Sequence, residues 1–405
     1  MKSKELQVIH DVYLTEGLAV REIGKTMLSM DVGSTGTRTL RFDKNMRFGQ
    51  VVAVESNYAK IDLDDDISYL TSKSKSLYDN MEIIIEDITS NKSVEKMFDK
   101  IKVVKGGIMR ELNAPVIRAT SNTGKVEQES TYVNILSNIG IRALMDASNE
   151  GKKYNRIIVD LTLSLPTEDT RSRKRLESFR GKLSGEYVVE FPRLNYKVVI
   201  EIRDENIFIE DESQAALRCW ATYNEQSVEN LERVIIIDGG GRSFDFGFLE
   251  KGRLNSKGCK TLPFGGNRFE TYIKDHYVEN NDVTEPTSTM IKEALDTGLL
   301  QDGNNVIKIS DSIKYAKRKI AGDIMAGLND LFDGVDVNPR MINLVICTGR
   351  CFNITGDRSN GTAVASLYKF IEAAYKKVSP NTDFDRLREE YPIVKGLVFF
   401  RLSQE

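Results

Sequence analysis

Two stretches of this chain set an aspartate at the end of an apolar strand and follow it with a loop of small residues. The first is "MLSMDVGSTGTRTLRFD" (27–43), the second "VIIIDGGGRSFDFGFLE" (234–250). Such a loop leaves backbone N–H groups unencumbered and aimed at one spot, where with hydroxyls they bind phosphate oxygens. Each charge-assisted bond of that kind contributes about 1.5–3 kcal/mol. Asp31 and Asp238 cannot be there to touch phosphate directly, because like charges repel. They make sense with Mg²⁺ between carboxylate and phosphate, directly or through water. Arg38 would add a cation on the phosphate side. Either loop alone reads equally well as a tight hairpin turn. Neither is a G-x-x-x-x-G-K-[ST] phosphate loop nor a G-x-G-x-x-G dinucleotide loop.

The elements that must position these loops repeat as well. Each stretch runs apolar strand, Gly/Ser loop, strand containing Phe, charged turn (43–45, 250–252) and third strand, and the two aspartates lie 207 positions apart (238 − 31). That period is too long for a solenoid and suggests two related domains, each opening with a β-meander and completed as an α/β layer. A third stretch, "NLVICTGRCFNITG" (343–356), is a buried strand running into Thr348-Gly349-Arg350 and Asn353. Glycine at a strand end permits close backbone approach, here to a ribose or base; a plain strand-to-helix turn is the other reading.

Elsewhere, apolar periodicity and turn residues predict strands at 27–31, 37–43, 50–54, 156–166, 187–191, 196–203, 207–209, 233–241, 244–250, 253–262 and 341–349. Helices are expected over about 126–150, 167–183, 212–222, from Pro286 onward, 311–332 and 363–377, with a short one lined by Leu6, Ile9 and Tyr13 and ended by Gly17.

The bulk numbers exclude more than they assign. The chain has 405 residues, 40% hydrophobic and 29% charged, with a formal net charge of −3. It lacks the basic footprint of a direct nucleic-acid binder. No apolar run approaches the ~20 residues of a membrane helix, and the first residues do not read as a secretory signal. The four cysteines are too scattered for a disulfide framework, which fits a reducing, cytoplasmic setting. Cys347 and Cys351 have no second Cys/His cluster for zinc. The two histidines, His10 and His276, sit far from any nucleophile pattern.

The order of motifs resembles the actin-like ATPase superfamily: "DVGSTGTR" its first phosphate motif, "DGGGRSFDFG" its second, "VICTGRCFNI" its adenosine motif, and "ESQAAL" (212–217) its connecting helix. Within it, "LTLSLPTEDTRSRKRLESFRGK", "ESQAAL" and "YPIVKGLVFF" (391–400) are similar to the ParM/StbA group of bacterial, largely plasmid-borne actins. The resemblance covers about residues 27–400. It implies an α/β, actin-like ATPase fold: two related α/β domains, a β-meander plus helices duplicated, flanking a nucleotide cleft. Domain I would be 27–217 with 363–405 returning to it, domain II 218–362, and 1–26 an N-terminal extension serving as an added element or a polymer contact.

By position, the resemblance implies that Asp31 and Asp238 organise Mg²⁺. Gly33, Ser34, Thr35, Gly240, Gly241 and Arg242 would line the phosphates of ATP, or of GTP in its place, and Glu212 would orient the attacking water. A carboxylate suits that task, since it can accept a proton from water in line with the γ-phosphate; the other reading of Glu212 is a helix N-terminal acid beside the macrodipole. Gly349, Arg350 and Asn353 would contact the nucleoside, and Lys292 and Glu293 the adenine side, though these two also read as an ordinary amphipathic helix. Arg38 stands where the family often has Lys, Arg242 where Thr is usual, and Gly239 where an apolar residue is usual, loosening the turn.

The implied activity is nucleotide hydrolysis coupled to polymerisation. Domain closure would favour head-to-tail contacts that generate open filaments, and hydrolysis would weaken them by shifting the closure equilibrium. The implied partners are further copies of the chain and a ParR-like adaptor bound to centromeric DNA, with no direct nucleic-acid or membrane contact. Two alternatives remain open: a monomeric nucleotide or polyphosphate hydrolase, whose first motif "DVGSTGTR" also resembles, and a non-motor actin-like scaffold. A sugar kinase would need a further Asp base that the sequence does not reveal.

Overall fold

The computed structural model describes residues 7–8, 19–70, 77–90, 94–118, 124–150, 152–281, 285–302, 305–353, 366–389 and 391–404. The chain forms two compact units, one built from the residues up to Cys219 with those from Ile393 onward, the other from Trp220–Pro392.

The first unit contains β1 (Gln7–Val8), β2 (Ala19–Val32), β3 (Gly36–Phe42), β4 (Phe48–Glu55), β5 (Ala59–Ile61), β6 (Glu82–Asp87), β7 (Lys100–Val104), α1 (Gly106–Leu112), α2 (Glu129–Glu150), β8 (Lys152–Leu165), α3 (Thr167–Thr170), α4 (Arg173–Leu183), β9 (Gly185–Phe191), β10 (Tyr196–Asp211) and α5 (Glu212–Tyr223). Its sheet runs β1-β4-β3-β2-β8-β10-β9-β6-β7-β5. At its centre β2, β8 and β10 are parallel, and such strands, covered on both faces, need near-continuous apolar sequence. Leu161, Leu163 and Val159 of β8 are buried with Ile135, Leu136 and Ile139 of α2 in one core.

The short helix expected over residues 6–17 is not what the described part shows: Gln7–Val8 pairs with β4 as a strand, and 9–18 lie outside the described residues. Nor does 19–26 belong to a separate extension. Those residues continue β2 and pair in parallel with 152–159. Gly24 is required there, because a Cβ would meet the Tyr154 ring at 2.9 Å.

The second unit contains β11 (Arg233–Gly239), β12 (Phe244–Glu250), β13 (Arg253–Leu262), α6 (Gly266–Asn281), α7 (Ser288–Thr297), β14 (Leu299–Asp302), β15 (Asn305–Lys308), α8 (Ser310–Val335), β16 (Leu344–Thr348), α9 (Leu367–Tyr375) and β17 (Asp383–Arg386). Its larger sheet has the order β13-β12-β11-β16-β17. Val234, Ile235, Ile236 and Ile237 of β11 are fully buried, each contributing roughly 1.5–3 kcal/mol of transfer free energy.

The segment 363–405 does not travel as one piece. Ile371 and Tyr375 of α9 are buried in the second unit's core with Phe332 of α8, and β17 pairs in parallel with β16. Only α10 (Pro392–Leu402) joins the first unit, where Arg401 donates to Asp160 of β8 at 3.1 and 2.8 Å. Apolar residues on α9 carry that choice, since Leu367, Ile371 and Tyr375 are buried in the second unit's core.

The internal repeat survives at the level of register. β2-β3-β4 and β11-β12-β13 are antiparallel meanders. Asp31 lies opposite Arg38 on the next strand and Asp238 opposite Asp245, the same offset of seven residues. On the other side Asp31 is level with Ser164 of β8, and Asp238 with Thr348 of β16, both through parallel pairing.

Candidate nucleotide-binding loops

In the first unit Asp31 is buried one residue before the end of β2. Its Oδ2 accepts from Arg38 Nη1 at 3.0 Å and its Oδ1 from Ser164 Oγ at 3.4 Å. Arg38 Nη1 also donates to the Gly36 carbonyl at 3.2 Å, so this cation is committed to the aspartate and to the loop's own backbone. A Cβ on Gly33 would meet Arg38 Nη1 and the Gly36 oxygen, both at 2.8 Å, which is why glycine follows Val32. Ser34 and Thr35 complete the loop. Ser56 holds it from behind: its hydroxyl donates to the Gly33 carbonyl at 2.6 Å and its amide to the Thr35 carbonyl at 3.4 Å.

In the second unit the loop after Gly239 is held in a related way. Gly240 N donates to the Ser243 carbonyl at 2.9 Å, and the Gly240 and Gly241 carbonyls accept from Gly266 N (3.0 Å) and Asn267 N (3.1 Å). Cys351 Sγ lies 2.7 Å from the Gly240 oxygen. Burial pushes the Cys351 thiol up to about 12, so it acts as a prop and a weak donor, not a nucleophile.

A planar trans peptide points its C=O and N–H in opposite directions. Anchoring the carbonyls of Gly33, Gly240 and Gly241 therefore turns the amides of Ser34, Gly241 and Arg242 to the opposite side. The Ser34 amide in the first loop and the Gly241 and Arg242 amides in the second thus face away from the anchored carbonyls, and backbone N–H groups turned to one side of a loop suit oxyanions. Gly265, which sequence reasoning missed, makes the second loop's geometry achievable. A Cβ there would collide with the Gly240 oxygen and meet Arg242 N at 2.6 Å. The adjacent glycines of "PFGGNRF" were its only signal. Gly239 does not loosen the turn: a Cβ would meet the Phe352 ring at 2.8 Å and Cys351 Cβ at 2.9 Å, so tight packing selects it.

Gly349 leaves β16 at φ +94°, pressed against Asp238 Oδ1 and 2.5 Å, by a would-be Cβ, from the Gly239 carbonyl. Gly349 and the second aspartate are thereby brought together within one unit. Arg350 and Asn353 belong to the helical turn that follows, and Lys292 and Glu293 to α7; the side chains of these four fall outside the described residues.

Glu212 opens α5. The preceding Asp211 caps that helix, its Oδ1 accepting from Ser213 N at 2.8 Å and Gln214 N at 3.3 Å, worth about 1 kcal/mol. Burial pushes the Asp211 carboxyl up, opposed by hydrogen bonds, chiefly from Thr167. Glu212 Oε1 accepts from Lys125 Nζ at 2.7 Å. Lys125 N in turn donates to Asp169 Oδ2 at 2.8 Å. Neither Lys125 nor Asp169 was legible as a site residue, because Lys125 reaches Glu212 from a distant segment and Asp169 acts only through the Lys125 backbone. Parallel pairing sets Asp31 level with Ser164 and Ser164 level with Glu210. At about 4.8 Å per strand, Asp31 and the start of α5 stand roughly 10 Å apart along one carboxyl edge, where ligands bind in open α/β sheets.

Among the described residues no group of three or more His, Cys, Asp or Glu could cage a metal ion. The donors fit a different arrangement. Mg²⁺ keeps several waters and takes one or two carboxylates with substrate phosphates, and each loop offers one carboxylate beside outward amides.

No protein-family profile matches the chain and no curated protein matches its sequence. Solved structures do. The actin-like protein Alp7A superposes with a TM-score of 0.66 at 14% identity, covering 94% of this chain and 97% of that one. The fold is actin-like. Two other solved structures share the actin-like fold. A Bacillus thuringiensis ParM solved with ATP has a TM-score of 0.57 at 15% identity, covering 94% and 99% of the two chains. A 15-stranded ParM filament from Clostridium botulinum has 0.58 at 14%, again covering 94% and 99%. Gly349, the two meander loops and the Glu212 carboxylate therefore stand in an actin-like framework. No helix among the described residues is long and apolar enough to cross a membrane.

Proposed function

We propose that this chain is a filament-forming, actin-like ATPase of the ParM type, whose phosphate loops bind Mg-nucleotide. The observation that carries the reading is the register-matched pair of aspartate–glycine hairpins, one in each unit, within an actin-like fold. The ATP of the Bacillus ParM and the filament of the Clostridium ParM support it by analogy of fold.

In this reading the amides of Ser34, Thr35, Gly241 and Arg242 hold β- and γ-phosphate oxygens, with Gly33 and Gly240 giving the backbone room. Asp31 and Asp238 would hold Mg²⁺, which would supply neutralisation of the charge developing on phosphate. Glu212 accepts a proton from the attacking water, with Lys125 fixing one of its oxygens. Gly349, Arg350 and Asn353 receive the nucleoside, with Lys292 and Glu293 on its far side; ATP is the favoured nucleotide and GTP the alternative. Subunits add head-to-tail. The filament moves plasmid DNA in the cytoplasm through a ParR-like adaptor on a centromere, in keeping with the net charge of −3.

Right-angle light scattering with Mg-ATP, Mg-GTP or neither tests this. A nucleotide-dependent rise that Glu212→Ala prolongs is expected. No rise, with phosphate still released, would favour the monomeric hydrolase.

A further inference from the structure

One buried cation in the first unit has no part in the scheme above. Lys105, at the junction of β7 and α1, is fully buried and makes no side-chain cap to α1. Its backbone amide donates to the Met81 carbonyl at 3.0 Å, and its Nζ donates to Asn134 Oδ1 of α2 at 2.5 Å.

The orientation of Asn134 is fixed by its neighbours. Its Nδ2 donates to the Ser56 carbonyl at 3.0 Å and the Ser130 carbonyl at 2.8 Å, both acceptor-only partners. The amide oxygen must therefore face Lys105. Ser56 is in turn the residue whose hydroxyl and amide hold the Gly33 and Thr35 carbonyls. Thr37 Oγ1 lies 3.1 Å from the same hydroxyl, and since Ser56 donates to Gly33, Thr37 donates to Ser56. A continuous relay thus runs Lys105, Asn134, Ser56, Gly33. The Ser56 carbonyl and hydroxyl are its links, while the Ser56 amide holds the Thr35 carbonyl.

We propose that Lys105 is a positioning residue for the first phosphate loop, fixing the 33–35 backbone in its oxyanion-binding form through Asn134 and Ser56. The proposal rests on the nucleotide-binding reading for what the loop holds, but not for the relay itself. A buried lysine is expensive, and an apolar residue at 105 would pack the same junction without serving Asn134. Burial pushes the Lys105 ammonium down to about 7, with Glu55 the named charge opposing that. Ammonium and amine both donate, so the relay holds in either state.

Hydrogen exchange of the nucleotide-free full chain reads the loop directly. Lys105→Met should speed exchange across 32–38 by about tenfold or more, leaving 239–244 unchanged. Affinity for a fluorescent Mg-ATP analogue should fall about tenfold, a loss of some 1.4 kcal/mol. Ser56→Ala, which removes one hydroxyl, should reproduce the exchange effect and keeps the test decidable if Lys105→Met does not fold. Unchanged exchange at 32–38 in the folded variants overturns the proposal, as does unchanged affinity. A wild-type chain that binds no nucleotide sinks the functional reading instead, and the exchange measurement still decides this one.

Discussion

Lys125 Nζ and Glu212 Oε1 are hydrogen-bonded at 2.7 Å, with only 20% and 17% of their side chains exposed. The pair ties the carboxylate at the start of α5 to the segment that Asp169 anchors. If Glu212 accepts the water's proton, Glu212→Gln keeps this hydrogen bond and loses the base. Phosphate release should fall about 10²–10⁴-fold, with nucleotide affinity within roughly threefold. A parallel loss of binding would assign Glu212 to ligand holding instead.

Gly265 makes a sharper structural prediction. Gly265→Ala drives a methyl into the backbone of 240–242, so it should cost about 1–3 kcal/mol in urea unfolding and weaken nucleotide binding. Gly322→Ala on the exposed face of α8, where a Cβ meets nothing within 4 Å, should instead add roughly 0.5–1 kcal/mol. Equal effects at the two positions would show that the second loop is not sterically set.

The Lys105 ammonium is held near 7 in the folded chain against an ordinary 10.5. Between those values the unfolded chain binds more protons, so this residue's contribution to stability rises with pH and is lost as pH falls toward 7. Wild type should gain on Lys105→Met by up to roughly 1.4 kcal/mol per pH unit from pH 7 to pH 9 in paired urea melts. A gap that does not move with pH contradicts this.

Asp31 and Asp238 occupy equivalent registers and should behave alike. Asp31→Asn and Asp238→Asn should each raise the Mg²⁺ concentration needed for half-maximal nucleotide binding by about tenfold. If only one responds, the metal is organised by a single unit.

The meander repeat was legible because alternating and apolar strands carry their state in their own residues, as in Val234–Ile237. The cap on α5 was half legible: Glu212 was noticed, but Asp211 takes the capping bonds. What escaped depends on tertiary register. Residues 19–26 have no clean period and become strand only by pairing with 152–159. The helix α9 reads as one more amphipathic segment, and only the buried Ile371 and Tyr375 assign it to the second unit. Ser56 reaches Gly33 from 23 positions away and Lys125 reaches Glu212 from 87, while Gly265 acts on Gly240 through bare backbone, relations no local pattern encodes. The Gly239 reading failed for the same reason, since Cys351 and Phe352 are what crowd it.

Phosphate release and pelleting, measured together across protein concentrations with Mg-ATP, test the central claim most directly. Nucleotide-driven assembly predicts that both begin above one critical concentration, and that a non-hydrolysable analogue gives pellet without phosphate. Phosphate release proportional to protein at every concentration, with nothing in the pellet, would contradict it.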